Sequence, residues 1–496
     1  MECWSDQGSE NLAEPEMKTI PFLFAQFVSS ANVVLASIFV KVLGYGIFWN
    51  GPARARFREL ALGHILSIEK FFFCSTLITV PKSEGERLLE QRISIFGIPI
   101  FSRRRQRTKY CVALLVDEFF GGWDTAIGGY GALARKYICR FIPNDDIQID
   151  VLLNIHGGMR TQHEVVDQTT LYRLPHHPAE RHCWLDQQAY NLYLSIEMTE
   201  PSFRILDGYQ LKVPLLYWIQ DPRDLSMYQL RLRTVNRIRD GDWAYIKEVS
   251  PWIHELLRQK RLSFISQGDS LSAIGREMYH IPDRVPIADL PNPVEIDFKY
   301  ELNVPPKENK IIFLGRLEAQ KRVWIVCEIA KAMPHYEFYI LGATGTGRDE
   351  AANAKTLEPY RNPDGSSKIA NLHFTGHVDG NVKNHHIKTA KLMLNTSFWE
   401  GIPVSWLEAL SYGTLIVSAF DRDNMVERFG TFVGEVMGDG TDETDIKRFT
   451  AAIEYWMRHD SERNATAQKA IEFVRNRHSI AAFTNKMRTL ILKEIQ

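Results

Sequence analysis

Two glutamates eight residues apart, Glu400 and Glu408, stand in the segment Phe398-Trp-Glu-Gly-Ile-Pro-Val-Ser-Trp-Leu-Glu-Ala-Leu410. Glu400 follows an apolar run of strand length that ends near Leu394. It therefore falls at the carboxyl edge of a strand, where open α/β sheets bind ligands. Gly401, Ile402 and Pro403 make a turn, and Ser405 to Tyr412 has helical character, so Glu408 lies in the first turns of a helix. Each carboxylate can accept from two vicinal hydroxyls. A pair placed this way suits one ligand with two hydroxyl-bearing parts, a sugar and a ribose. A lone glutamate at a helix start is ordinarily a dipole partner; the intervening turn is what favours the ligand reading.

A second chemical segment, Leu314-Gly-Arg-Leu-Glu-Ala-Gln-Lys-Arg322, again follows a strand-like run. Gly315 lets the chain turn and lets backbone amides approach a ligand, and Arg316 and Lys321 could grip a diphosphate from two sides. Cations so placed stabilise negative charge that grows as a phosphate leaves; taken singly, they would be ordinary solvated charges. His156-Gly-Gly158 reads as a turn, and His176, His177 and His182 near Cys183 define no metal geometry. No metal and no cofactor is assigned. The six cysteines, at 3, 74, 111, 139, 183 and 327, are too scattered for a metal knuckle or a redox pair. Cys111, Cys139 and Cys327 sit inside apolar runs and read as buried free thiols, and a reducing compartment follows.

The elements that must hold these residues are α/β. Tyr110–Val116, Ile147–Leu153, Leu192–Ile196, Val213–Ile219 and Phe264–Ile265 read as strands between helical segments. Leu290-Pro-Asn-Pro-Val294 interrupts the rhythm as a linker, and the alternation restarts with strands near Lys310–Leu314, Glu337–Leu341, Leu372–Phe374, Lys391–Leu394 and Leu415–Val417. Two such units predict two facing Rossmann-like parallel-sheet domains with a cleft between them. At 496 residues the chain is long enough for that and an appendage. The assigned boundaries are an N-terminal extension over 1–108, an acceptor-side domain over 109–290, a donor domain over 295–475 and a returning helix over 476–496. With 59 basic and 60 acidic residues, the net charge of -1 excludes nucleic acid as a main partner.

Taken together, these segments resemble the retaining glycosyltransferases of family four, which have the GT-B fold, over roughly residues 109–480. The resemblance implies transfer of a hexose-type sugar from a nucleotide-sugar donor to a glycan or lipid-linked glycan acceptor, with retention and without a metal. It makes Arg316 and Lys321 the diphosphate clamp, Glu400 the donor-sugar contact and Glu408 the ribose contact. His377 and Val378 would hold the base, and Gly401, Ile402 and Pro403 would turn their backbone to the donor. Gly128 and Gly129 match the family's glycine loop over the donor phosphates. Gln220 stands where the family often has histidine, which counts against a proton shuttle there; Gln220, Asp221 and Arg223 are the acceptor-side candidates. Pro291-Asn-Pro293 departs from the Asn-Gly usual after the linker. A sugar-nucleotide epimerase of the same fold, or a catalytically silent glycan-binding partner, are the rival readings.

The N-terminal stretch carries less. Residues 1–19 are polar and acidic, and Pro21–Val40 is free of charge but diluted by Gln26, Ser29, Ser30, Asn32 and Ser37. Within 21–49, a span, a peripheral membrane contact and a packing helix all stand as readings. Ile93–Phe101, trailed by Arg103–Arg107, resembles a segment of bacterial surface-polysaccharide transferases. The location expected is the cytoplasm, at the inner face of the cytoplasmic membrane if the extension touches it.

Overall fold

The computed structural model describes residues 110–123, 128–224, 245–295, 303–344 and 350–496, with Ser226, Tyr228, Gln229 and three earlier strands. The stretch 21–49 and the basic residues Arg105 and Arg107 lie outside the described residues. The three strands, β1 (Cys74–Pro81), β2 (Arg87–Ile95) and β3 (Ile98–Arg104), form a sheet of order β1-β2-β3. Among the described residues no helix is long and apolar enough to cross a membrane.

From Tyr110 onward the alternation predicts the architecture well. The first large sheet contains β4 (Tyr110–Leu115), β5 (Ile147–Ile155), β6 (Gln162–Val166), β7 (Thr169–Leu174), β8 (Leu192–Ile196), β9 (Leu215–Ile219), β10 (Leu262–Ser266) and β11 (Ile287–Asp289). Their order is β11-β10-β9-β8-β4-β5-β7-β6, parallel except for β6 against β7. The central strands β8 and β9 are buried along their whole length, as a sheet covered by helices on both faces requires.

The second sheet has β12 (Glu308–Leu314), β13 (Glu337–Leu341), β14 (Leu372–Gly376), β15 (Ala390–Asn395), β16 (Leu415–Ser418) and β17 (Gly430–Phe432). All its pairings are parallel, in the order β14-β13-β12-β15-β16-β17. The helix Val404–Ser411 that follows β15 ends in a Schellman turn, with Gly413 N–H bonded to Leu410 O and Thr414 N–H to Ala409 O, both at 3.0 Å. Gly413 has φ +67°, and a Cβ there would lie 2.9 Å from the Cβ of Ala467 on the helix Asp460–Arg477. Only glycine supplies both the left-handed turn and that close approach.

The chain crosses between the two sheets twice, and the crossings run side by side. Val294 N–H donates to His478 O at 2.9 Å and Val294 pairs with Ser479 in a parallel bridge. His478 Nδ1–H donates to Asn292 O at 2.8 Å, and burial, against the pull of that bond, lowers the imidazole pKa to about 4, which keeps it neutral at pH 7. The helix Ile480–Ile495 then returns to the first sheet. There Phe483 stacks on Trp218 at 5.6 Å, and Arg488 donates to the carbonyls of Phe141, Ile142 and Pro143.

Candidate functional site

The carboxyl edges of the second sheet carry the residues singled out in the sequence. After β12, Gly315 N–H donates to Leu341 O at 3.1 Å, which fixes the base of the loop that bears Arg316. That loop ends in a 3-10 turn, Ala319–Lys321, and the Lys321 ammonium ion-pairs with the Glu400 carboxylate. Glu400 reaches this point because the chain beyond β15 is cross-braced. Ser397 Oγ donates to Glu400 Oε1 at 2.6 Å, Arg422 Nε donates to its main-chain oxygen at 3.2 Å, and Gln320 Nε2 donates to Trp399 O at 2.9 Å. Cation and carboxylate come from segments 79 residues apart in sequence.

Glu408 lies on a separate group. It accepts from Lys383 Nζ at 2.6 Å, and Lys383 in turn lies 3.7 Å from Asp379. Burial works against the Lys383 charge, but Glu408 and Asp379 outweigh it and hold the ammonium's pKa above the usual lysine range. Asp379 also meets Lys136 of the first domain at 3.4 Å. His377 is exposed at the end of β14 and Val378 is half-buried beside it. Lys383 has no sequence signal of its own; only the helix Gly380–Thr389 brings it under Glu408.

The first domain meets this edge through backbone as well as side chains. A Cβ at Gly401 would lie 2.2 Å from Gln220 O, so the turn that holds Ile402 and Pro403 touches the end of β9 directly. The Gln220 side chain faces the linker instead, in a reciprocal amide pair with Asn292, both bonds at 3.0 Å. The amide expected to reach donor or acceptor is thus engaged at the crossing between domains. A further contact joins Asp423, whose Oδ1 accepts from Ser270 N–H at 2.8 Å at the start of the helix Asp269–Tyr279.

Asp221 and Arg223 form an ion pair at 3.1 Å, with 18% and 17% of their side chains exposed, and the Arg223 guanidinium lies 4.5 Å from the Tyr228 ring centre. Desolvation raises the Asp221 pKa; Arg223 opposes this and Glu400 adds to it, which places Asp221 within electrostatic reach of the second domain. Behind them, Glu197 ends β8 as a buried carboxylate. It accepts from the backbone N–H groups of Gln220 and Asp221 at 2.9 and 2.8 Å, and from Tyr279 Oη at 2.9 Å. Glu197 therefore sets the backbone from which Asp221 projects.

Gly128 and Gly129 show a feature that spacing did not reveal. The Glu118 carboxylate accepts from Gly131 N–H at 3.1 Å, and a Cβ on Gly128 would fall 1.9 Å from a Glu118 oxygen. A Cβ on Gly128 would have to displace this carboxylate, whereas a Cβ on Gly129 would meet open space. Desolvation, then the neighbouring Asp117, push the Glu118 pKa up to about 7, and Arg316 pulls it down. Asp117 is also raised by burial and opposed by Arg316. Arg316 thus faces this acidic pair from the second domain while pairing with Glu318 at 3.0 Å on its own loop. Asp117 and Glu118 lie two and three residues beyond β4, and Glu400 five residues beyond β15, so each stands past the carboxyl end of a strand.

The arrangement can hold a ligand that carries both anionic and hydroxyl groups. It offers cations at Arg316, Lys321 and Lys383, and carboxylates at Glu400, Glu408 and Asp221. The family described as Glycosyl transferases group 1 matches residues 295–473, which include the whole second sheet. No curated protein sequence matches the chain. Among solved structures, sucrose-phosphate synthase from Thermosynechococcus elongatus is similar with a TM-score of 0.55 and 13% identity, over 77% of this chain and 98% of that one. Anabaena HepE in complex with UDP gives 0.53 and 12%, over 77% and 100%. A glycosyltransferase from Rickettsia africae gives 0.51 and 10%, over 78% and 98%. The two parallel-sheet domains are the GT-B fold, and the second carries the group 1 glycosyl transferase pattern.

Proposed function

We propose that this GT-B chain, with its group 1 glycosyl transferase domain, transfers a hexose-type sugar from a nucleotide-sugar donor to a glycan or lipid-linked glycan, with retention and without a metal. The observation that carries this reading is the Lys321–Glu400 pair at the carboxyl edge of the second sheet, with Arg316 on the same loop as Lys321. A diphosphate entering there meets Lys321 and Arg316, and the sugar hydroxyls take over Glu400 as Lys321 turns to phosphate. Glu408 exchanges Lys383 for ribose hydroxyls in the same way, and the exposed edge at His377 and Val378 receives the base.

Bond cleavage sends the anomeric C–O electron pair to the departing phosphate oxygen, whose new charge Arg316 and Lys321 stabilise. The acceptor hydroxyl bonds to the anomeric carbon on the same face, and its proton passes to that phosphate oxygen. This route needs no strong protein base, which suits a Gln220 amide engaged with Asn292. Asp221, within electrostatic reach of Glu400 and paired to Arg223, would receive an acceptor hydroxyl.

Incubation with labelled UDP-, GDP-, ADP- and dTDP-hexoses tests the reading. Transfer to an added glycan supports it; a changed free nucleotide sugar would indicate an epimerase, and binding without turnover a silent partner. Glu400→Ala should lower turnover by about 100-fold or more with folding retained. Turnover close to wild type in that variant would remove Glu400 from the site.

A further inference from the structure

Arg322, next after the proposed clamp lysine, is an unusual residue to bury. It is 1% exposed, and a guanidinium leaves water at a large cost unless its donors are met. Its backbone is also left-handed, with φ 45° and ψ 48°, a region that favours glycine. Two unfavourable features at one position call for a compensating role.

The hydrogen bonds show what the side chain joins. Nε donates to Thr396 O at 2.8 Å, while Nη1 donates to Val436 O at 2.6 Å and Gly438 O at 3.1 Å. In return, the Thr396 hydroxyl lies 2.7 Å from Lys321 O and 3.2 Å from Arg322 O, as donor to these main-chain acceptors. Trp324 Nε1–H fastens the same outer loop by donating to Asp439 O at 2.7 Å. One side chain therefore ties together three segments: the turn that ends in Lys321, the end of β15 four residues before Glu400, and the loop 436–439. The planar fork of arginine can reach divergent carbonyls in a fixed geometry, which lysine cannot reproduce.

We propose that Arg322 is a positioning residue for sugar transfer, fixing the stems of Lys321 and Glu400 at a set separation so that cation and carboxylate meet the donor together. The inference rests on the donor-site reading above. It assigns Arg322 no contact with substrate. Its effect reaches the reacting atoms through the main chain of Lys321 and Thr396.

The test compares Arg322→Gly, Arg322→Lys and Thr396→Val with wild type and Lys321→Ala, measuring thermal unfolding, affinity for the nucleoside diphosphate alone, donor KM and kcat. Arg322→Gly removes the strap and the backbone cost together; Arg322→Lys keeps the charge without the fork. Because Lys321 and Glu400 both remain, ground-state binding should stay within about threefold while kcat falls about 30-fold or more. Thr396→Val, which leaves no charge stranded, should lower kcat by about fivefold with diphosphate affinity unchanged. Lys321→Ala should instead lower affinity and kcat together. If Lys321→Ala is impaired but a folded Arg322→Gly or Arg322→Lys keeps kcat within about twofold of wild type, Arg322 is merely structural and the proposal fails. If Arg322→Gly does not fold, Arg322→Lys decides. Normal transfer and normal diphosphate affinity in Lys321→Ala would overturn the clamp reading itself, and the Arg322 assignment with it.

Discussion

Each glutamate proposed to touch the donor already has a lysine: Glu400 has Lys321 and Glu408 has Lys383. Donor binding is therefore an exchange of partners, and removing one partner strands the other. On this basis Lys321→Ala should weaken nucleoside-diphosphate binding about tenfold or more, measurable by calorimetry. Glu118 gives a prediction of a different kind. Its folded-state pKa of about 7 lies above the ordinary 4.5, so the folded protein holds a proton there that the unfolded chain has released. Stability must then fall as pH rises from about 4.5 through 7, and the loss is complete above that. Glu118→Gln, which still accepts from Gly131, should match wild type in Tm near pH 4.5 and exceed it by about 2 °C or more at pH 8. A difference independent of pH would show that Glu118 is not held protonated. Glu400, Lys321 and Arg316 were legible in the sequence because a buried strand announces its own carboxyl end. Glu118 stood at such an end too, but its place beneath Gly128 depends on a fold-back of the chain that spacing does not encode. Gln220 was legible as a departure, whereas its amide partner, 72 residues away, was not.

Strands buried on both faces were the most readable elements, since β4, β8, β9, β12 and β15 are near-continuous apolar runs. The hairpin of β6 and β7 was not: Gln162-His-Glu-Val-Val166 lies on a sheet edge with several side chains exposed, so little apolar pattern marks it. His156 is the turn residue its glycines suggested, with Gly158 N–H donating to its Nδ1 at 2.9 Å. The helix Val404–Ser411 depends on how it stops. Gly413→Ala should cost about 1–3 kcal/mol, seen as a lower denaturation midpoint, because the left-handed turn and the contact with Ala467 both resist a methyl group. Among the crossing elements, His478 stays neutral when folded but ionises near pH 6.5 when unfolded. It therefore contributes stability at neutral pH that is lost as pH falls from about 6.5 to 4. His478→Gln should flatten that part of the Tm–pH curve; an unchanged acid limb would contradict the assignment.

At the scale of the whole molecule, two α/β units were legible from the restart of the alternation after Pro293, and the sheet orders follow the ordinary logic of crossover connections. The fit of one unit against the other was not, because it rests on contacts such as Gly401 with Gln220 that join distant segments. The returning helix is a strong tether: Phe483 is 3% exposed against Trp218, and Phe483→Ala should cost about 3–5 kcal/mol by thermal or urea unfolding.

The bond from Ser270 to Asp423 has a consequence for motion. Asp423 belongs to the second unit yet supplies an acceptor to the first turn of Asp269–Tyr279 in the other, from a left-handed backbone at φ 53°. Any rocking that parts the units must bare that amide to solvent. Deuterium uptake at Ser270 would then serve as a clock for how often the jaws separate, slowing whenever a bound nucleotide keeps them shut.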